Sequence, residues 1–173
     1  MKLIECNPVR LFGAGKALHY TGYVSRADYL KCLGSETEGV LLRLLNVVVR
    51  EAEVHNNELC VLGVGSRADL SYKNQNRNLR YHDVDLVLCT DPSARRKDYQ
   101  DDLIISLGSG TNFQVINKQS HDPFLRKRLA VASNEMEFDL SFLGLDGGNA
   151  TQLQQFHAKH NLAYTLLYLS GLE

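Results

Sequence analysis

The strongest helical pattern in the chain is "SETEGVLLRLLNVVVREAEV", residues 35–54. Val40, Leu41, Leu44, Leu45, Val48 and Ala52 fall on one stripe at helical spacing. Ser35 and Glu38 have the spacing of a capping box. Residues 24–33 read as a shorter helix, while glycines at 13, 15, 22 and 34 break any period through 1–34. The pattern then changes. "ELCVLGVG" (58–65) is a continuous apolar run of strand length. Segment 67–82 interleaves Asn74, Gln75, Asn76 and Asn78 with Lys73, Arg77 and Arg80, which predicts a loop. "DVDLVLC" (83–89) predicts a second strand. Asp91-Pro92 has the signature of an N-cap followed by proline at the first helical position, and that helix runs to about Leu107. After the turn "GSGTN", "FQVINK" (113–118) predicts a third strand. Asp122-Pro123 repeats the helix-start signature, and "FLRKRLAVAS" is assigned to that helix. "MEFDLSFL" (136–143) predicts a fourth strand and "GLDGGN" a loop. The C-terminal segment 151–173 is expected to be mostly helix over 151–169, with Leu153, Phe156, Leu162, Leu166 and Leu169 on its apolar side. Helices alternating with strands around one sheet predict an α/β or α+β domain.

Composition narrows the class. A chain of 173 residues is long enough for one domain with its own core, here expected to span 1–173 and to centre on 36–147. A formal net charge of −1 points to neither nucleic acid nor an anionic membrane through bulk electrostatics. No apolar stretch approaches the roughly 18–20 residues of a membrane span, so no membrane partner is expected. "MKLIECNPVRLFGAG" lacks the apolar core of a secretory signal. Cys6, Cys32, Cys60 and Cys89 form no C-x-x-C pair. Cys60 and Cys89 lie inside apolar runs, where a thiol acts as a small hydrophobe. The expectation is a reduced, cytoplasmic protein.

The acidic positions carry the chemistry. Side chains alternate along a strand, so Asp83 and Asp85 share one face and Val84, Leu86 and Leu88 the other. Burying unpaired carboxylates is costly, so the acidic face must meet water, cations or a partner. Asp139 lies between Phe138 and Leu140 and points away from their face, with Glu137 and Ser141 on its side. If strands 83–89 and 136–143 are neighbours, Asp83, Asp85 and Asp139 converge. Repulsion between such carboxylates is relieved by a divalent cation, and hard oxygen ligands suit Mg²⁺ or Mn²⁺. Gly65 allows close backbone approach to a phosphate, and Ser66 and nearby N–H groups can donate to it. Arg67, with Lys73, Arg77 and Arg80, can steer a triphosphate or an RNA backbone.

Gly65-Ser66, then Asp83-Val84-Asp85-Leu86, then Phe138-Asp139-Leu140 resembles the DNA polymerase beta-like nucleotidyltransferase superfamily. "HDVDLVL", "FQVINK" and "MEFDLSFLGLDGG" in that order are most similar to its 2′-5′-oligoadenylate synthase and cyclic-dinucleotide synthase branch. The resemblance covers about residues 36 to 147 and implies an α+β nucleotidyltransferase fold, a mixed sheet flanked by helices. It implies that Asp83 and Asp85 bind the metals and that Asp139 also binds metal and helps activate a hydroxyl. Gly65 and Ser66 would hold a nucleoside triphosphate. The implied activity is metal-dependent transfer of a nucleoside monophosphate, with RNA or a second nucleotide among the acceptors.

Two other readings belong to different classes. "CVLGVGS" resembles the first strand and glycine turn of S-adenosylmethionine-dependent methyltransferases, with Asp91 placed for ribose hydroxyls. The larger nucleotidyltransferases add a helical second lobe that this chain does not contain, which favours a nucleotide-binding module without turnover. His157 and His160 have i,i+3 spacing but no third ligand nearby in sequence, and read as surface residues.

Overall fold

The apolar stripe of residues 35–54 and every second residue of three strands form one side each of the same core. The structure, a computed structural model, describes residues 22–68, 83–90, 93–109, 113–116, 128–133, 136–144 and 163–170. Its elements in chain order are β1 (Gly22–Tyr23), α1 (Arg26–Leu33), α2 (Ser35–Val54), β2 (Leu59–Val64), a single 3-10 turn (Gly65–Arg67) and β3 (Val84–Thr90). They are followed by α3 (Ser93–Gly108), β4 (Gln114–Ile116), β5 (Arg128–Ser133), β6 (Met136–Gly144) and β7 (Ala163–Leu169). The sheet order is β1-β7-β2-β3-β6-β5-β4. β3 runs parallel to β6, and β1 runs parallel to β7. The remaining pairs are antiparallel, so the sheet is mixed and the architecture α+β.

All six stripe residues of α2 are buried. They join Leu59 and Val61 of β2, Val84, Leu86 and Leu88 of β3, and Phe138, Leu140 and Phe142 of β6 in one core cluster. Tyr99, Leu103 and Leu107 bring α3 into it. The Tyr99 hydroxyl donates to Val48 O at 3.0 Å, Ser106 donates to Glu51, and His55 Nε2 lies 2.8 Å from Asp102 Oδ2. These contacts fix α3 against α2 on the core side of the sheet. α1 is capped by Ser25, whose Oγ accepts from Asp28 N at 3.1 Å.

Several expectations give way. "FLRKRLAVAS" is not a helix over its second half. Residues 128–133 form β5, paired with β4 on one side and β6 on the other. Ladder bonds on both edges outweigh the local helix preference of Leu and Ala. The C-terminal helix is likewise replaced over 163–169 by β7, which inserts between β1 and β2 and covers what would otherwise be an open edge of β2. The capping box at Ser35 does not form. Gly34 is the N-cap, Ser35 is already helical, and no side chain caps the helix start. The expected N-cap at Asp91-Pro92, the loop 69–82 and the segment 151–162 with His157 and His160 lie outside the described residues.

Candidate metal centre

Parallel pairing of β3 with β6 sets Asp85 beside Asp139, Val84 beside Phe138 and Leu86 beside Leu140. Because both strands alternate in step, the two apolar sets face the helices together and the acids face away together. The sequence expectation that these strands are neighbours therefore holds. Asp83, just ahead of β3, lies on the same side as Asp85.

Asp83, Glu137 and Asp139 each present a carboxylate oxygen, and the three oxygens lie within 4.8 Å of one another. No other such group of three metal-ligating side chains occurs among the described residues. With bonds of about 2.1 Å, oxygens on opposite sides of Mg²⁺ stand about 4.2 Å apart and adjacent ones about 3 Å, so the three carboxylates would draw together onto a shared ion. Three hard, anionic oxygen donors suit a hard divalent cation better than a soft one. Asp139 is 4 % exposed, while Asp83 and Glu137 are half-buried. Partial burial raises the cost of mutual repulsion and so the gain from a shared cation.

Asp85 sits differently. It pairs opposite Val64, the last residue of β2, and its side chain rests against the turn that follows. A Cβ on Gly65 would come 3.0 Å from Asp85 Cγ and 3.1 Å from its Cβ. Gly65 has φ +74, a backbone conformation that favours glycine. The turn closes with Ala68 N donating to Gly65 O at 3.1 Å. The Gly-Ser element is thus a tight single turn at the end of β2, with the Asp85 carboxylate packed on it. Ser66 and Arg67 within the turn are both buried, at 5 % and 8 % exposure.

Burial lowers the pKa of the Arg67 guanidinium, while neighbouring Tyr29 and Asp83 favour its charged form. Arg67 therefore stands within electrostatic reach of the acidic group. Lys73, Arg77 and Arg80 lie outside the described residues. Among the described residues the centre gathers the carboxylates of Asp83, Glu137 and Asp139, with Asp85 alongside on β3 and Arg67 in electrostatic reach of Asp83, an acidic cluster suited to binding cations.

Of the residues singled out from sequence, the structure brings together Gly65, Ser66, Arg67, Asp83, Asp85 and Asp139 along adjoining ends of β2, β3 and β6, while Asp91 lies outside the described residues. Glu137 enters the three-carboxylate group, and strand alternation had placed it on the acidic side. Tyr29 went unread. Its sequence signal was a glycine inside a strand at Gly63, the usual mark of a close approach. No helix among the described residues is long and apolar enough to cross a membrane. Compared with family models, with curated proteins and with solved structures, the chain matches none of them.

Proposed function

We propose that this chain has a nucleotidyltransferase fold and is a metal-dependent nucleotidyltransferase. It would transfer a nucleoside monophosphate from a nucleoside triphosphate to a hydroxyl, with release of pyrophosphate. The observation that carries the reading is the placement of Asp83, Glu137 and Asp139 within ligating distance of one another, beside a buried Gly-Ser turn on the adjoining strand. The antiparallel pairing of β2 with β3 also favours it over the methyltransferase reading, which calls for a doubly wound, mostly parallel sheet at that point.

In this reading Asp83, Asp85 and Asp139, with Glu137, hold Mg²⁺ or Mn²⁺. The cation supplies charge to offset the triphosphate and to lower the pKa of an attacking hydroxyl. Ser66 and the N–H groups of the turn hold the phosphates, and Arg67 adds positive charge behind them. The acceptor oxygen forms a bond to the α-phosphorus while the bond to the β-phosphate bridging oxygen breaks. Asp139 takes the hydroxyl proton, and pyrophosphate departs opposite the attack. Positioning and electrostatic stabilisation supply most of the acceleration for such in-line transfer. The resemblance places an RNA end or a second nucleotide among the acceptors.

A panel of labelled nucleoside triphosphates, with and without Mg²⁺ or Mn²⁺, tests this on the wild type and Asp83→Asn. Metal-dependent incorporation that disappears in a folded Asp83→Asn is the expected result. Metal-dependent nucleotide binding without incorporation selects the non-catalytic module instead. Incorporation undiminished by Asp83→Asn sinks the site assignment. Tight S-adenosylmethionine binding indifferent to Mg²⁺ sinks the whole reading.

A further inference from the structure

Two of the four cysteines face each other across the middle of the sheet. β2 and β3 are antiparallel, and their register sets Cys60 directly opposite Cys89. Side chains of directly opposed residues project from the same face. Leu59 and Val61 of β2 and Leu88 of β3 belong to the core cluster beneath the helices. Alternation turns Cys60 and Cys89 to the other face. That face also carries Asp85, four residues before Cys89 and about 13 Å away along the strand. Both cysteines are buried, at 1 % and 0 % exposure, and both are free thiols.

The ladder fixes how closely they approach. Leu59 N donates to Ser170 Oγ at 2.9 Å, and Leu59 O accepts from Ser170 N at 2.9 Å. The Leu59 peptide groups therefore face β7, and those of Cys60, one residue on, face β3. Cys60 and Cys89 are thus a hydrogen-bonded pair of the ladder, with a Cα separation of about 5.5 Å. A disulfide spans about 4.4–6.8 Å between Cα atoms, so the backbone fits one as it stands. The Cβ atoms of such a pair are up to about 5.5 Å apart, wider than the roughly 3.5–4.5 Å of a relaxed disulfide. The thiols already touch. Burial is the main cause raising Cys89 well above the ordinary thiol pKa, and its hydrogen bond with Cys60 acts in the same direction. Cys89 is a protonated thiol held against the sulfur of Cys60.

We propose that Cys60 and Cys89 are a redox site, closed by hydrogen peroxide into a cross-strand disulfide between β2 and β3 and reopened by a small thiol. It stands apart from the metal centre and does not depend on it. One cysteine, as its thiolate, attacks a peroxide oxygen. The O–O bond breaks, leaving a sulfenic acid, and the departing hydroxide takes up a proton as water. The partner sulfur then attacks the sulfenic sulfur. The S–S bond forms as the S–O bond breaks, and the hydroxyl leaves with the partner's proton as a second water. Two thiols and one peroxide give one disulfide and two waters. Contact between the sulfurs makes the second step intramolecular, so it outruns further oxidation. Burial restricts the first step to a small uncharged oxidant and slows it, because only the thiolate reacts. Closing the Cβ gap by about 1 Å strains the bond, and strained disulfides are the labile ones.

The test treats the folded full chain with hydrogen peroxide and removes the peroxide with catalase. Remaining thiols are then alkylated in denaturant, and the digest is mapped by mass spectrometry without reductant. The expected product is a peptide pair joined through Cys60 and Cys89, two hydrogens lighter than the free peptides together, with both thiols lost at once. Reduced glutathione added before alkylation should return both as alkylated thiols. Cys89→Ser should abolish the linked product and leave Cys60 unlinked. Recovery of both cysteines as alkylated thiols after peroxide overturns the proposal, as does sulfinic acid on either one in the wild type. Linkage of Cys60 to Cys6 or Cys32 in place of Cys89 overturns it as well. A Cys60–Cys89 bond that glutathione leaves closed overturns its reversibility. Should Cys89→Ser fail to fold, the wild-type peptide map decides alone.

Discussion

β3 and β6 carry two surfaces back to back. On one side Val84, Leu86, Leu88, Phe138, Leu140 and Phe142 are buried in the core beneath the helices. Flanking Val84 and Phe138 along the two strands, Asp83, Asp85, Glu137 and Asp139 crowd at the strand ends on the opposite side. Both surfaces are largely withdrawn from water, yet one gains from that and the other is penalised by it. A period of two keeps them apart with no extra structure. It also makes register decisive. A slip of one residue between β3 and β6 would drive carboxylates toward the helices, so the apolar face locks the acidic face in place. The consequence of a substitution should therefore follow parity along the strand more closely than distance from the site.

The sharpest way to break that contrast uses two adjacent residues. Phe138 is 0 % exposed and lies in the core; Asp139 is 4 % exposed on the other face. Phe138→Ala removes a ring and leaves a cavity, and should cost about 3–5 kcal/mol in urea unfolding. Asp139→Asn keeps the volume and removes one of several crowded charges. Its stability change should stay within about 1 kcal/mol, while Mn²⁺ binding is lost. Comparable destabilisation by both would mean that the acidic face holds the fold together and is not set aside for a ligand.

Parity was also what made the site legible in advance. Alternation alone placed Asp83 with Asp85 and Glu137 with Asp139. The stripe of α2 and the apolar runs of β2, β3 and β6 were equally clear, because their burial is written in consecutive residues. β5 and β7 were not. The helix-start signature at Asp122-Pro123 and the helix formers after it obscured residues 128–133, whose strand state depends on partners on either side. In the sequence around β7 the spacing of Leu162, Leu166 and Leu169 imitates a helix, although Tyr164, Thr165 and Tyr168 are strand formers. The same limit applies within the site. Which carboxylate oxygens approach closest depends on the mutual placement of β3, β6 and the turn, so Glu137 joins Asp83 and Asp139 while Asp85 packs on Gly65. Tyr29 meets Gly63 through tertiary packing of α1; a glycine inside a strand marks a close approach but not which side chain makes it.

Two glycines extend the comparison from faces to turns. Gly34, between α1 and α2, and Gly65, beside Asp85, have nearly the same backbone angle, φ +83 and φ +74. A Cβ at Gly34 meets nothing within 4 Å, whereas at Gly65 it would overlap the Asp85 carboxylate. Both Gly34→Ala and Gly65→Ala should lose about 1–3 kcal/mol to backbone strain at positive φ. Only Gly65→Ala should also weaken Mn²⁺ binding, by displacing Asp85. Equal Mn²⁺ affinity in the two variants would show that the position of Asp85 on the turn does not matter to the centre.

The smallest effect is expected at the far end of β3. Thr90 shares the core side of the strand with Val84, Leu86 and Leu88 by alternation, is 0 % exposed, and its Oγ1 has no hydrogen-bond partner among the described residues. It is a buried polar orphan at the opposite end of β3 from the four acids. Its neighbours along the ladder are Leu59 and Gly144. Among the described residues neither ladder neighbour offers it a charged acceptor, so the hydroxyl is a plain cost, and the near-isosteric Thr90→Val should raise stability by about 1 kcal/mol. Mn²⁺ binding should not change. A drop in stability would instead mean that the hydroxyl is satisfied by an internal water, which needs polar partners of its own.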